Sequence, residues 1–283
     1  MEVFVLENES MIVEIEIGIT GLKITKIANK KTGRNWIYSL TPLKPCYDFT
    51  ESFDAQYSGG AEFLFPNDLP CSINNYYYPD HGFLWRSRFK LEAYKETENM
   101  IILKSSSYIQ ELDTVFIAEF VLSRPYGCLN VKCSIMNHSD NAVPYIFRFH
   151  PAFRVNSGTR FAIDADNIFY ETGENGEILF CKTRRDKLDS QYLYKLCESD
   201  EDEFFCHVSN KSGCFSLQEE NNLFYMEYDP LFLPYTTIYY FTKNSEKVLI
   251  AEPSTSGSAY MHKDYGLLAP CVERTYKFKI NLI

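Results

Sequence analysis

Three short stretches of the sequence hold the side chains best suited to acid–base chemistry. His81 lies in PDHGF, His150 lies in FRFHPAF, and Glu252 lies in LIAEPS. An imidazole and a carboxylate can exchange protons with a substrate near neutral pH, because unperturbed histidine titrates at about 6.5 and glutamate at about 4.3. Each residue also has a structural interpretation. His150 could be a buried histidine at a strand end, His81 a turn histidine, and Glu252 a turn carboxylate.

Other kinds of catalytic site lack the residues they need. The five histidines do not fall at the short regular spacing that is typical of metal ligands, so no metal is expected. There is no phosphate-binding glycine loop of the Walker or GxGxxG type, and no G-x-S-x-G nucleophile motif. The sequence therefore predicts a site that works without a metal or a nucleotide cofactor.

Composition and charge narrow the choice of partner and compartment. The formal net charge of −10 argues against nucleic acid, which needs a basic binding face. No stretch approaches the roughly 18 apolar residues of a membrane span. The nine cysteines are odd in number and form no C-x-x-C pair, and the chain starts without a basic segment followed by an apolar run. Reduced cysteines and a cytoplasmic protein are expected.

The elements that must position these side chains are mainly strands. Apolar and polar residues alternate in MIVEIEIG, in CLNVKCSIMN and in YKFKINL, and a period of two is typical of half-buried strands. Glycine-containing turns separate such runs, and the best helical candidate is the short segment 188–197. With no linker or repeat, residues 1–283 are predicted to form one all-β domain, a large antiparallel sandwich or barrel with few short helices.

The order of the candidate stretches resembles that of the aldose 1-epimerase (galactose mutarotase) family, in its divergent branch. Four short motifs carry the resemblance, in this order: Gly59-Gly60 with Phe65-Pro66, His81-Gly82-Phe83, His150-Pro151, and Glu252-Pro253. The resemblance spans about residues 5 to 283. It implies a galactose mutarotase-like supersandwich, an antiparallel β-sandwich.

The resemblance also implies a reaction, the interconversion of the α and β anomers of an aldose. Glu252 would be the base that removes the proton of the C1 hydroxyl. His150 would be the acid that protonates the ring oxygen, and His81 would hold the O1/O5 region. The implied ligand is a small sugar, and no cofactor is needed.

Further sugar-binding residues are expected around this pair. The resemblance implies a hydroxyl-binding aspartate between the last two motifs, for which Asp202 is the best match and Asp200 its rival. Arg86 and Arg148 are candidate substrate contacts.

Two alternatives to a free-sugar mutarotase remain at this point. In one, the substrate is a hexose phosphate, and paired arginines bind the phosphate. Its candidate arginines are Arg86, Arg88, Arg148 and Arg154. The other alternative is an inactive carbohydrate-binding protein of the same fold.

Alternation along the strand assigns faces to the neighbours of His150. Arg148 is predicted to share the face of His150, while Phe147 and Phe149 point to the other face, into the core. Pro151 is predicted to end the strand and leave His150 near the rim of a pocket.

Overall fold

The computed structural model describes residues 2–18, 21–40, 52–171, 178–181 and 203–283. Their regular structure is mostly β. The first ten strands are β1 Glu2–Glu7, β2 Met11–Gly18, β3 Gly21–Asn29, β4 Ala61–Leu64, β5 Cys71–Ile73, β6 Tyr76–Tyr78, β7 Lys90–Glu96, β8 Met100–Ile109, β9 Thr114–Ser123 and β10 Cys128–Asn137. The others are β11 Val143–Tyr145, β12 Arg148–Val155, β13 Arg160–Glu171, β14 Ile178–Cys181, β15 Glu203–Glu219, β16 Asn222–Tyr228, β17 Tyr235–Lys243, β18 Glu246–Ser254, β19 Gly266–Leu268 and β20 Glu273–Leu282.

Helical structure is confined to short pieces in the described residues. The α-helix α1 spans Phe53–Gln56, and two 3-10 turns span Leu84–Arg86 and Gln110–Leu112. The helical candidate at 188–197 lies outside the described residues. Within the described part of the chain, no helix is long and apolar enough to cross a membrane.

One large antiparallel sheet contains most of the strands. Its order is β1-β2-β3-β4-β12-β18-β17-β15-β16-β20-β10-β9-β8-β7, and β13 and β14 join beside β15. Two small two-stranded sheets, β11-β19 and β5-β6, lie apart from it. The predicted antiparallel all-β architecture is therefore confirmed.

The sheet folds over so that distant strands pack face to face. Phe63 on β4 lies 5.3 Å from Phe116 on β9, and Phe149 on β12 lies 4.8 Å from Phe278 on β20, measured between ring centroids. These pairs belong to a continuous buried apolar cluster. Aromatic side chains that interlock between two layers are the usual core of a β-sandwich.

Alternate residues of the central strands point away from this core. On β12, Phe149 and Phe153 are core residues, while Arg148 and His150 lie on the opposite face, as the alternation predicts. We call this face of strands β3, β4, β12, β18, β17 and β15 the pocket face. Ile250 and its neighbours form a smaller apolar cluster there.

The prediction that Pro151 ends its strand is wrong. Strand β12 continues through Pro151 to Val155, and His150 is only 3% exposed, so it lies inside the sheet rather than at a rim. Pairing of β12 with β18 is interrupted between Arg148 and Ala152. The missing N–H of Pro151 therefore removes no hydrogen bond from that ladder.

Candidate active site

A cavity of about 450 Å³ opens on the pocket face. Four ionisable groups line it close together: Asp68, His81, His150 and Glu252. The remaining wall is mainly aromatic and apolar, and its residues are Phe53, Tyr57, Leu69, Phe205, Tyr239, Phe241, Thr242, Lys243, Ile250, Ala259 and Tyr260. This combination of an apolar wall with a few converging polar groups is typical of small-molecule sites.

His150 and Glu252 come from the adjacent strands β12 and β18. The Nε2 atom of His150 lies 3.7 Å from Oε1 of Glu252, and both side chains are buried. Two aromatic rings pack against the imidazole in T-shaped geometry, with ring centroids 5.6 Å away for Phe53 and 5.7 Å away for Tyr57. The Nδ1 atom of His150 is buried without a hydrogen-bond partner.

His81 comes from the loop between β6 and the first 3-10 turn and faces the same cavity. Its Nδ1 lies 2.8 Å from Oδ1 of Asp80, and its Nε2 lies 3.4 Å from Oδ1 of Asp68. The imidazole stacks on Phe53 with 3.7 Å between centroids and 7° between planes. The rings of His81 and His150 are 6.1 Å apart, so both histidines can reach one ligand of hexose size.

The loop that carries His81 depends on Gly82. The backbone φ of Gly82 is +70°, and a Cβ atom there would lie 2.4 Å from the carbonyl oxygen of Phe65. Only glycine tolerates this combination without a backbone shift. The His-Gly motif therefore has a structural reason: Gly82 permits the close approach that turns His81 into the cavity.

Arg148 lies beneath the cavity and is fully buried. It donates hydrogen bonds to the carbonyl oxygen of Ser258 at 2.7 Å and to the hydroxyl of Thr237. Its guanidinium nitrogens also lie 3.3 Å from Asp68 Oδ2 and 3.7 Å from Glu252 Oε2. Arg148 therefore holds the two carboxylates of the site and is not among the residues that line the cavity.

Burial shifts the proton affinities of the central pair in opposite directions. Burial raises the pKa of Glu252 to about 8, and the positive charge of Arg148 opposes part of that rise. Burial lowers the pKa of His150 well below its usual value, and the positive charge of His81 adds to the effect. Near neutral pH the proton shared by the pair therefore lies mainly on Glu252. The unperturbed pKa values of glutamate and histidine therefore do not apply to this pair in the free site, because both groups are desolvated.

His81 differs from His150 in its electrostatic surroundings. Burial alone would lower the pKa of His81, but the hydrogen bond with Asp80 and the negative charge of Asp68 raise it overall. Burial works against ionisation of Asp80, yet its bond with His81 holds the pKa of that carboxyl below the usual value. His81 is therefore the histidine of the site that carries positive charge more readily.

The other predicted substrate-binding residues are not among the described residues that line the cavity. Arg86 packs over the ring of Trp85, with 4.4 Å to the centroid, and lies 3.5 Å from the carbonyl oxygen of Asp80. Arg154 pairs with Glu246 at 2.7 Å. Two further candidates, Asp200 and Asp202, lie outside the described residues. Arg88 is part of a different surface depression.

Several residues of the site were not singled out by the sequence reasoning. Asp80 precedes His81 directly in PDHGF, and a carboxylate next to a histidine was an available signal. Asp68 follows Phe65-Pro66 by two residues and carried no such signal. Phe53 and Tyr57 carried no signal, because aromatic residues are frequent throughout the chain. In the described ranges no group of three or more histidine, cysteine, aspartate or glutamate side chains has the geometry to hold a metal ion.

Comparison with known proteins supports the architecture. No model of a known protein family matches the sequence, and neither does any protein of curated function. Solved structures do match. A galactose mutarotase-like protein from Clostridium acetobutylicum superposes with a TM-score of 0.76 and 15% identity, over 98% of this chain and 93% of that one. The chain has the galactose mutarotase-like fold.

Other structures with this galactose mutarotase-like fold extend over the full chain. A candidate aldose 1-epimerase from Escherichia coli K12 matches with a TM-score of 0.72 and 14% identity, over 100% of this chain and 99% of that one. The Slr1438 protein from Synechocystis sp. PCC 6803 matches with a TM-score of 0.74 and 15% identity, over 99% of this chain and 95% of that one. Identities this low carry the fold and not the activity.

Proposed function

We propose that this protein is an aldose 1-epimerase that interconverts the α and β anomers of an unphosphorylated hexose. One observation carries the proposal: His81, His150 and Glu252 converge in a single cavity of about 450 Å³. A cavity of this volume is within the range of small-ligand sites. The galactose mutarotase-like fold agrees with the proposal but does not establish it.

The proposed reaction needs one base and one acid on different sides of the C1–O5 bond. Glu252 takes the proton of the O1 hydroxyl as the C1–O5 bond breaks, and His150 gives a proton to O5. After the aldehyde rotates, O5 attacks its other face. The same residues then reverse roles, so His150 recovers its proton from O5 and Glu252 returns its proton to O1. His81 donates a hydrogen bond to the O1/O5 region of the sugar, and the reaction needs no cofactor.

The protonation of the free site fits this cycle through one internal proton shift. The resting pair is a protonated Glu252 and a neutral His150, because burial opposes charge on both residues. The reactive pair is the tautomer with the proton on His150. The two forms contain the same number of protons, so the reactive form needs no proton from solvent, and a water or sugar hydroxyl can bridge the 3.7 Å gap.

An unphosphorylated sugar is favoured over a sugar phosphate. No arginine is among the described residues that line the cavity. Arg148 is fully buried beneath it and faces Asp68 and Glu252. Lys243 and His81 are cationic side chains in the described lining, but a phosphate would lack the paired guanidinium groups that bind it best and would lie beside Asp68 and Glu252.

Anomer exchange followed by NMR on freshly dissolved α-hexoses tests the proposal. Glu252→Gln and His150→Gln should each lower kcat by about 100- to 10,000-fold, the usual contribution of one acid–base group. His138→Gln is the matched control, because His138 is exposed and outside the cavity lining.

Three results would contradict the proposal. One is a wild-type exchange rate that stays at background, and sugar binding without exchange would then favour an inactive carbohydrate-binding protein. Another is exchange that the two active-site variants do not slow. The third is exchange of a hexose 6-phosphate but not of the free hexose.

Action in the cytoplasm is part of the proposal and fits the free cysteines among the described residues.

A further inference from the structure

The acid–base pair lies within a row of polar residues that crosses the pocket face. The strands β3, β4, β12, β18, β17 and β15 are consecutive neighbours in the sheet. Each contributes one residue to the row: Lys23, Glu62, His150, Glu252, Thr237 and His207 in that order. Glu62 is the register partner of His150, and Thr237 is the register partner of both Glu252 and His207. His150 is thus flanked by a carboxylate on each neighbouring strand.

The Lys23–Glu62 end of the row is a buried ion pair. The Nζ atom of Lys23 lies 3.2 Å from Oε2 of Glu62, and the residues are 7% and 1% exposed. Neither carboxylate oxygen of Glu62 has a hydrogen bond of good geometry. A buried pair with so few hydrogen bonds is costly, and apolar residues of similar volume could replace it without loss of stability. The pair therefore calls for an explanation other than stability.

The position of Glu62 supplies one. Residues in register on adjacent strands lie about 5 Å apart, so Glu62 is about 5 Å from His150 and about 10 Å from Glu252. A negative charge at Glu62 raises the pKa of Glu252. Because Glu62 lies about half as far from His150, it should favour a proton on His150 more strongly. That preference is what the reactive tautomer of the pair requires.

Lys23 acts on the ionisation of Glu62. Burial raises the pKa of Glu62, and the adjacent charge of Lys23 works against that rise. The positive charge of Lys23 lowers the pKa of His150. Lys23 lies one strand farther from His150 than Glu62 does, so at about twice the distance its charge acts more weakly than that of Glu62. The other charged and titratable groups around His150 are Arg148 on its own strand, Glu252 on β18, and Asp68, Asp80 and His81 in the loops.

We propose that the buried Lys23–Glu62 ion pair is a positioning element of the acid–base site, in which ionised Glu62 draws the shared proton onto His150 and Lys23 keeps Glu62 ionised. This inference rests on the proposed function for its catalytic meaning. Neither residue lines the cavity, so neither touches the sugar.

Three forms of the protein separate this role from a structural one: wild type, Glu62→Gln, and the double variant Glu62→Gln/Lys23→Met. The effective dielectric constant is taken as about 20 and the strand spacing as about 5 Å. The population of the reactive tautomer, relative to the resting one, is then expected to fall about 20-fold in Glu62→Gln. It falls only about 6-fold in the double variant, because the opposing charge of Lys23 is also gone. We expect kcat to follow that order with KM nearly unchanged.

Histidine nitrogen NMR gives a readout that does not depend on activity. The protonated fraction of His150, assigned by its loss in His150→Gln, should be highest in wild type, intermediate in the double variant and lowest in Glu62→Gln. The matched control is Glu219→Gln, which breaks another ion pair, between half-buried Arg34 and buried Glu219 at 2.7 Å, outside the cavity lining. It should leave the fraction unchanged.

The possible outcomes distinguish the two proposals. The expected order in the spectra of a protein without anomer exchange would support the electrostatic role and defeat the proposed function. Three indistinguishable spectra would overturn the role of the ion pair, whatever the activity. So would a double variant that is as slow as Glu62→Gln, since a purely structural role does not depend on the charge left on Lys23.

Discussion

Replacing Glu252 with glutamine should make the protein's stability less dependent on pH. Burial raises the pKa of this carboxyl from 4.5 to about 8, so between those values the folded protein binds a proton that the unfolded chain does not. Stability from such a group is complete below the unfolded pKa and is lost as pH rises through the folded pKa. Each pH unit in the interval removes about 1.4 kcal/mol. Between pH 5 and pH 8 the loss from Glu252 alone is about 4 kcal/mol.

Urea unfolding at pH 5, 7 and 9 measures this loss. Glutamine has the shape of the protonated carboxyl and cannot ionise, so the free energy of unfolding of Glu252→Gln relative to wild type should rise by about 4 kcal/mol from pH 5 to pH 9. The variant should thus be the more stable protein in alkali while lacking anomer exchange. Glu246→Gln is the control, because Glu246 lies on the same strand with its side chain 43% exposed. An equal difference at pH 5 and pH 9 would refute the claim that burial dominates at Glu252.

Three further measurements test other parts of the site. The rate of anomer exchange should stay constant through pH 7 and fall as pH rises above about 8, because the pair of Glu252 and His150 then loses its shared proton. A fall that begins near pH 6.5 would instead indicate a histidine with an unperturbed pKa. Arg148→Met should lower the free energy of unfolding by about 3 to 5 kcal/mol in urea titrations, since it leaves the buried carboxylate of Asp68 without its cation. An unchanged midpoint would contradict that account. Gly82→Ala should lower the free energy of unfolding by more than about 1 kcal/mol and weaken sugar binding in calorimetry, because its Cβ would lie 2.4 Å from the carbonyl oxygen of Phe65. Full activity in this variant would contradict the predicted backbone strain.

Local patterns in the sequence were enough to predict several of the strands and the faces of the residues around His150. The period of two along FRFHPAF depends only on backbone geometry, so the shared face of Arg148 and His150 followed directly. The order of four short motifs indicated the fold that the solved structures share.

Long-range pairing was not accessible in the same way. Glu62 and Glu252 flank His150 only because β4 and β18 pair with β12 in one particular register, and no local pattern specifies that register. The proton preference of Glu252 also required the structure, since desolvation depends on how completely the neighbouring loops cover the carboxyl. Pro151 misled the prediction, because whether a proline ends a strand depends on whether its N–H would have been used.

The place of β12 in the sheet order has a consequence for how the site opens. Strands β1 to β4 separate it from one edge of the sheet, and the other edge strand, β7, lies farther away still. Fraying that starts at an edge must therefore peel off several paired strands before it reaches His150. Backbone amides of β12 should exchange with deuterium only through global unfolding, long after those of β1. The relative placement of His150, Glu62 and Glu252, which lie on paired strands, should thus persist until the sheet itself unfolds.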